Sequence, residues 1–210
     1  MQIVSLVENT SRSGLKAVHG LSLYIETDKH KILFDLGPNN TVFANAKKKN
    51  IDLEQIDTVI ISHGHRDHGG AMKKFLEVNS GAKIYIQEKA FLPHYTKAVF
   101  QFIPIGLNKR LKKNERVVLL NGDFKIDDEL SLFLGTGIEH RAEQVLFCRV
   151  EGVVQTVAVC RLHDKVVHLW ERLRVAEYAF VIAAYVAREA ETYLLSSLFD
   201  FQVYARTAED

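Results

Sequence analysis

IISHGHRDHGG, Ile60 to Gly70, packs three of the chain's nine histidines into six residues, with Asp67 among them. Imidazole nitrogen and carboxylate oxygen are the ligands that zinc, manganese and iron accept at ordinary coordination distances, so the stretch reads as a metal site. Its local structure brings the ligands together. The run before it, DTVIIS, has the length and apolar character of a strand buried in the middle of a sheet. His63 and His65 stand two apart at the end of that strand, where extended backbone points both side chains the same way. Asp67 and His68 follow as the chain turns toward a helix. Four ligand-type side chains are therefore expected at the carboxyl end of a central strand, where open α/β sheets place their sites. Gly64, Gly69 and Gly70 permit tight turns and leave room for a substrate.

Adjacent Asp67 and His68 cannot easily serve the same ion as both His63 and His65. The spacing points to two neighbouring ions, with His63 and His65 on one and Asp67 and His68 on the other. Two ions can share and acidify one water, giving hydroxide near neutral pH, and can clamp the oxygens of a phosphate or carbonyl. Asp67 would both hold a metal and orient that hydroxide, which makes it the candidate catalytic residue. The expected cofactor is a divalent metal, one or two ions, with zinc first and manganese or iron as alternatives.

Working outward, MQIVSLVE reads as an opening strand, and LSLYIET and HKILFDLG as a hairpin joined at Asp28-Lys29. Gly37-Pro38 breaks the chain before NTVFANAKKKN, whose spacing is helical and whose lysines suit a solvated helix end. DLEQ opens a short helical turn. GGAMKKFLEVNSG is an amphipathic helix stopped by Gly81, and AKIYIQE is the next strand. Asp127-Asp128 reads as a turn between GDFKI and LSLFL. Alternating β and α elements of this kind indicate an α/β layered architecture.

With 210 residues, 47% hydrophobic and 25% charged, the chain fits one globular domain over 1–210. A net charge of +1 gives no reason to expect nucleic acid or an anionic membrane as partner, which leaves a small-molecule substrate. The N-terminus turns polar by Glu8, too soon for a secretory signal, and YAFVIAAYVA, bracketed by Glu177 and Arg188, is too short to span a bilayer. Cys148 and Cys160 lie in β-like runs and read as buried free thiols, which suits a cytoplasmic protein. Composition changes near Gly135: fifteen of the sixteen lysines precede it, whereas seven of the eleven arginines follow.

His63-x-His65-x-Asp67-His68 resembles the signature of the metallo-β-lactamase superfamily. ILFDLG is similar to the family's strand that ends in an aspartate beside the metal site, here Asp35, which is expected to orient a ligand histidine. VHGLSLYIET and GDFKIDDELSLF are similar to a subgroup of small prokaryotic hydrolase-like proteins that includes those of methanopterin-type cofactor synthesis. The resemblance runs through about Phe133. It implies a four-layer αββα sandwich with the metals at one rim, and a hydrolase acting on a phosphate or other ester. The diiron oxidoreductases of the superfamily carry an acidic residue where His65 stands, so redox chemistry is disfavoured.

Beyond Gly135 the chain departs from the family pattern. The subgroup has a histidine just before a Glu-Gln that opens a strand. Here Ala142 precedes Glu143-Gln144, and His140, two residues earlier, is the candidate third ligand of the first ion. The family's Gly-Cys-x-His turn resembles Cys160 to His163 with one extra residue, so His163 is the candidate third ligand of the second. A later strand end is similar to AAYV, which leaves Val186 where a ligand histidine is expected. The expected function is a metal-dependent hydrolase of a phosphoester, thioester or related substrate. The alternative is a non-catalytic binding or regulatory relative that has lost part of its metal site. His19 reads as a substrate contact or a loop histidine, His30 and His94 are expected at the surface, and His168 on another helix face.

Overall fold

The first strands are short apolar runs, and the two-residue period of extended backbone decides which side of the sheet each side chain meets. β1 (Gln2–Val7), β2 (Ser22–Glu26) and β3 (Lys31–Phe34) form an antiparallel meander. The chain then passes through α1 (Thr41–Lys48) to β4 (Thr58–Ile61), which pairs with β3 in parallel. The short α2 (Arg66–Gly69) and α3 (Met72–Val78) lead to β5 (Lys83–Gln87), again parallel. β6 (Tyr95–Ala98) and β7 (Gln101–Pro104) make a separate hairpin before β8 (Val117–Leu120) closes the edge. The order is β1-β2-β3-β4-β5-β8. A second sheet holds β9 (Phe124–Lys125), β10 (Leu130–Thr136) and β11 (Gln144–Val150). The computed structural model describes residues 1–11, 14–98, 100–136, 144–150, 155–156 and 180–181.

Register sorts the core into two slabs. Leu33, Val59 and Ile84 align across β3, β4 and β5 and face Val42, Ala46, Met72 and Phe75 of the helices. Their neighbours Phe34, Ile60 and Tyr85 align on the other face and meet Leu130, Leu132, Cys148 and Val150 of the second sheet. Each such fully buried aliphatic or aromatic side chain contributes about 1.5–3 kcal/mol. β4 is buried on both faces, as its unbroken apolar run requires. Helix, sheet and sheet are three layers of the αββα sandwich. Cys148 is buried, and Cys160 falls outside the described residues. Among the described residues no helix is long and apolar enough to cross a membrane.

Two features aim loops at the carboxyl ends of β3 and β4. Asn45 of α1 donates to Leu6 O at 2.7 Å and Lys16 O at 2.8 Å, and its Oδ1 accepts from Lys16 N at 2.9 Å. That pins the segment carrying His19. The β6–β7 hairpin is rooted by Ile105 N donating to His94 O and by Arg66 N donating to Ile105 O.

Candidate metal centre

The site grows from the ends of β3 and β4. Asp35 N continues the parallel ladder by donating to Ile60 O at 2.8 Å, and its carbonyl accepts from Ser22 Oγ at 2.8 Å. The residue then leaves the strand at φ 60, a left-handed conformation that aspartate tolerates better than most side chains. Leu36 N donates to His68 O at 2.7 Å, so the end of β3 is stitched to the histidine loop. Asp35 is fully buried, and its carboxylate collects three donors: Ser62 N at 2.8 Å, Ser62 Oγ at 2.8 Å and His68 Nδ1 at 2.6 Å.

This network assigns protons. A carboxylate only accepts, so Ser62 Oγ and His68 Nδ1 must both donate to Asp35. Ser62 Oγ, its proton spent, accepts from His63 Nδ1 at 2.9 Å. His63 and His68 therefore both carry their proton on Nδ1 and keep the Nε2 lone pair for a ligand. His63 Nε2 lies 3.2 Å from His65 Nδ1, and His68 Nε2 lies 3.6 Å from Asp67 Oδ2. The His63 ring centroid is 4.6 Å from that of His65 and 4.1 Å from that of His68.

Those spacings test the fit to a metal. Two nitrogens bound to one tetrahedral zinc stand about 3.3 Å apart, given zinc–nitrogen bonds of about 2.0–2.1 Å. The His63–His65 pair matches that bite, and the looser Asp67–His68 pair is of the same order. The donor chemistry, neutral imidazole and carboxylate, also fits a divalent ion. Among the described residues, however, no group of three or more His, Cys, Asp or Glu side chains is disposed to hold one. The donors come in pairs, and a catalytic zinc takes three protein ligands. His140 and His163, the candidates for the third positions, lie outside the described residues, as do Ala142, His168 and Val186.

Further side chains gather around the cluster. His19 Nε2 approaches Asp67 Oδ2 at 3.3 Å, with the imidazole 60% exposed at the mouth of the site. Its loop packs directly on the cluster: Gly20 adopts φ 140, and Leu21 N donates to Asp67 O at 3.3 Å. Ser62 was not singled out, although a hydroxyl ending an otherwise apolar strand signals a buried polar group in need of partners. His94, expected at the surface, is half-buried, with its ring centroid 5.2 Å from that of His65. His30 is also no surface residue: its side chain, 13% exposed, lies between Asp57 and Asp127 at the far rim. Surface grooves of about 400 and 370 Å³ lie around Tyr24 and Lys31 and around Lys73 and Arg110, and no cluster residue lines either.

Comparison with known proteins agrees with this fold. An uncharacterized protein of Methanocaldococcus jannaschii is 29% identical over 126 residues, 60% of this chain and 49% of that protein. The 7,8-dihydropterin-6-methyl-4-(beta-D-ribofuranosyl)-aminobenzene-5'-phosphate synthase of the same organism is 33% identical over 102 residues, 46% of this chain and 35% of the synthase. The chain thus spans between about a third and a half of the length of these relatives. Among solved structures, Tm1679, a metal-dependent hydrolase of the beta-lactamase superfamily, superposes with a TM-score of 0.57 at 20% identity. That match covers 76% of this chain and 64% of Tm1679, and it shows the shared fold. The family model of the metallo-beta-lactamase superfamily matches residues 15–156, more than half of the chain, and the chain belongs to that superfamily.

Proposed function

We propose that the chain is a metal-dependent hydrolase acting on a phosphoester, thioester or related ester. The observation that carries the reading is the pairing of donors, with His63 Nε2 3.2 Å from His65 Nδ1 and His68 Nε2 3.6 Å from Asp67 Oδ2. A bound divalent ion supplies Lewis acidity and acidifies a coordinated water. His63 and His65 would hold one ion through Nε2 and Nδ1, and Asp67 and His68 a second, with His140 and His163 as the proposed third ligands. Asp35 holds the proton on His68 Nδ1, and Ser62 holds the one on His63 Nδ1, so both rings keep the tautomer that binds. Asp67, about one-fifth exposed, is the carboxylate placed to accept a proton from the attacking water. His19 sits beside it on the open side, where it can contact substrate. Likeness to a metal-dependent hydrolase and to a 5'-phosphate synthase supports a hydrolase or phosphate-linked chemistry, and the paired donors argue against the non-catalytic alternative.

Metal content and turnover test the reading together. Protein purified after growth with zinc, manganese or iron is expected to hold at least one equivalent and to cleave an activated phosphodiester or thioester. Asp67→Ala should lower both metal content and turnover. Less than one equivalent in the wild type, with no hydrolysis across both ester classes, would overturn it; unchanged activity in Asp67→Ala would remove that residue from the mechanism.

A further inference from the structure

We infer that His94 is a positioning residue of the metal site, its imidazole packed perpendicular to His65 so that the His65 ring keeps Nδ1 turned toward His63. The inference rests on reading His63 and His65 as ligands of one ion.

The three histidines of the cluster are held in different ways. His63 and His68 are each tied back through Nδ1, to Ser62 and to Asp35. His65 turns its own Nδ1 toward His63 Nε2, 3.2 Å away, rather than back toward Ser62 or Asp35. Its ring also packs against two others: His63 at 4.6 Å and 74°, and His94 at 5.2 Å and 86°. Near-perpendicular rings at about 4.5–7 Å are the favoured edge-to-face arrangement. Turning the His65 ring would disturb both contacts.

The backbone is shaped to admit this contact. A Cβ on Gly64 would overlap His94 Nε2 and the carbonyl oxygen of Ala90, so only glycine leaves space for the imidazole between two ligand histidines. On the other side, a Cβ on Gly106 would come within 3.3 Å of His94 N and 3.5 Å of its Cδ2. The same short segment joins the two histidines. Ile105 N donates to His94 O at 2.9 Å, Ile105 O accepts from Arg66 N at 2.8 Å, and Gly106 bridges antiparallel to His65. His94 Nε2 is buried, so the ring has little freedom of its own. The hairpin root and the histidine loop therefore form one unit, and the position of His94 is transmitted to His65.

His94→Ala and His94→Phe separate ring packing from nitrogen chemistry. Zinc affinity, measured by competition with a chromophoric chelator, should fall about tenfold in His94→Ala and stay within about threefold of wild type in His94→Phe, the scale on which supporting residues tune metal sites. In the zinc-free proteins, proton–nitrogen correlation spectra should show the His65 imidazole resonances moved in His94→Ala. Unchanged affinity and unchanged His65 resonances in His94→Ala would overturn the inference. So would an equal affinity loss in His94→Phe, which would make the His94 nitrogen itself the active element; that variant decides even if His94→Ala does not fold. Wild-type protein that takes up no zinc would sink the hydrolase reading instead, and the His65 resonances alone would then judge His94.

Discussion

Asp35 Oδ2 accepts a hydrogen bond from His68 Nδ1 at 2.6 Å, with the aspartate 0% and the histidine 1% exposed. The carboxylate also takes both polar hydrogens of Ser62, so three donors converge on two oxygens. Asparagine has one oxygen and a donor group in the same volume. If its amide faces His68, the imidazole must move its proton to Nε2 and withdraw the lone pair from the site. If it faces Ser62, two buried donors meet. Asp35→Asn should therefore lower zinc affinity about ten- to a hundredfold by chelator competition. It should also cost about 1–3 kcal/mol of stability in urea. Wild-type zinc affinity in Asp35→Asn would mean that the tautomer is set by something else.

His30 joins the two sheets at the rim opposite the histidine cluster. Its Nδ1 lies 2.9 Å from Asp57 Oδ1, beside β4, and its Nε2 lies 2.9 Å from Asp127 Oδ2, in the turn between β9 and β10. Burial, the largest influence, disfavours the imidazolium, but the two carboxylates outweigh it and raise the pKa above the ordinary 6.5. Burial likewise works against Asp127, yet the amides of Leu130 and Glu129 and the His30 cation bring its carboxyl down to about 2. A raised folded pKa stabilises fully below the unfolded value and ceases to as pH climbs through the folded one. The urea midpoint of wild type should therefore exceed that of His30→Gln most at about pH 6, and the gap should narrow by about pH 9.5. Asp127 stays ionised throughout that window and keeps the part of its contribution that comes from the Leu130 and Glu129 amides. A gap that widened with pH would contradict the charged clamp.

Gly20 presses its backbone on Asp67. At φ 140 an L side chain is strained, and a Cβ there would overlap the Asp67 carbonyl oxygen and come within 2.8 Å of Pro38 Cδ. The obstacle is backbone, which cannot swing aside as a side chain would. Gly20→Ala should cost about 1–3 kcal/mol from the dihedral alone, with overlap adding to it. It should also lift the His19 loop from Asp67. Thermal melts of Gly20→Ala and His19→Ala distinguish the effects, since only the former should lose substantial stability; equal melting temperatures for Gly20→Ala and wild type would contradict the close packing.

The parts of this site that local periodicity controls were legible in the sequence. The strand ending at Ile61 follows from its unbroken apolar run, and the β2–β3 hairpin from its turn residues, whereas His63 and Gly64 lie past the strand in a bend and not in the extended backbone expected of them. The two-slab core is side-chain alternation expressed in three aligned strands. What stayed hidden was made by chain return. His30 meets a carboxylate 97 residues onward, and a polar hairpin turn gives no hint of that partner. His94 reaches His65 because Ile105 and Gly106 fold back beside the loop, a pairing with no signature in the residues around Pro93. Gly64 suggests room for substrate, whereas its missing side chain is what lets His94 in.

The two donor pairs can be told apart by the ligands proposed to complete them. If His140 completes the His63–His65 pair, His140→Ala should remove one ion and leave Asp67 and His68 able to hold the other. If His163 completes the Asp67–His68 pair, His163→Ala should do the converse. Each loss should leave a site with two protein ligands, short of the three that a catalytic zinc takes, so metal stoichiometry should fall by about one equivalent per variant. Cobalt substitution gives the readout, because its visible absorption follows coordination number and donor type at each site. The double variant should lose both ions, with the losses adding because the two histidines act on different pairs. Loss of both ions in either single variant would instead mean that the pairs share a ligand and form one cooperative centre.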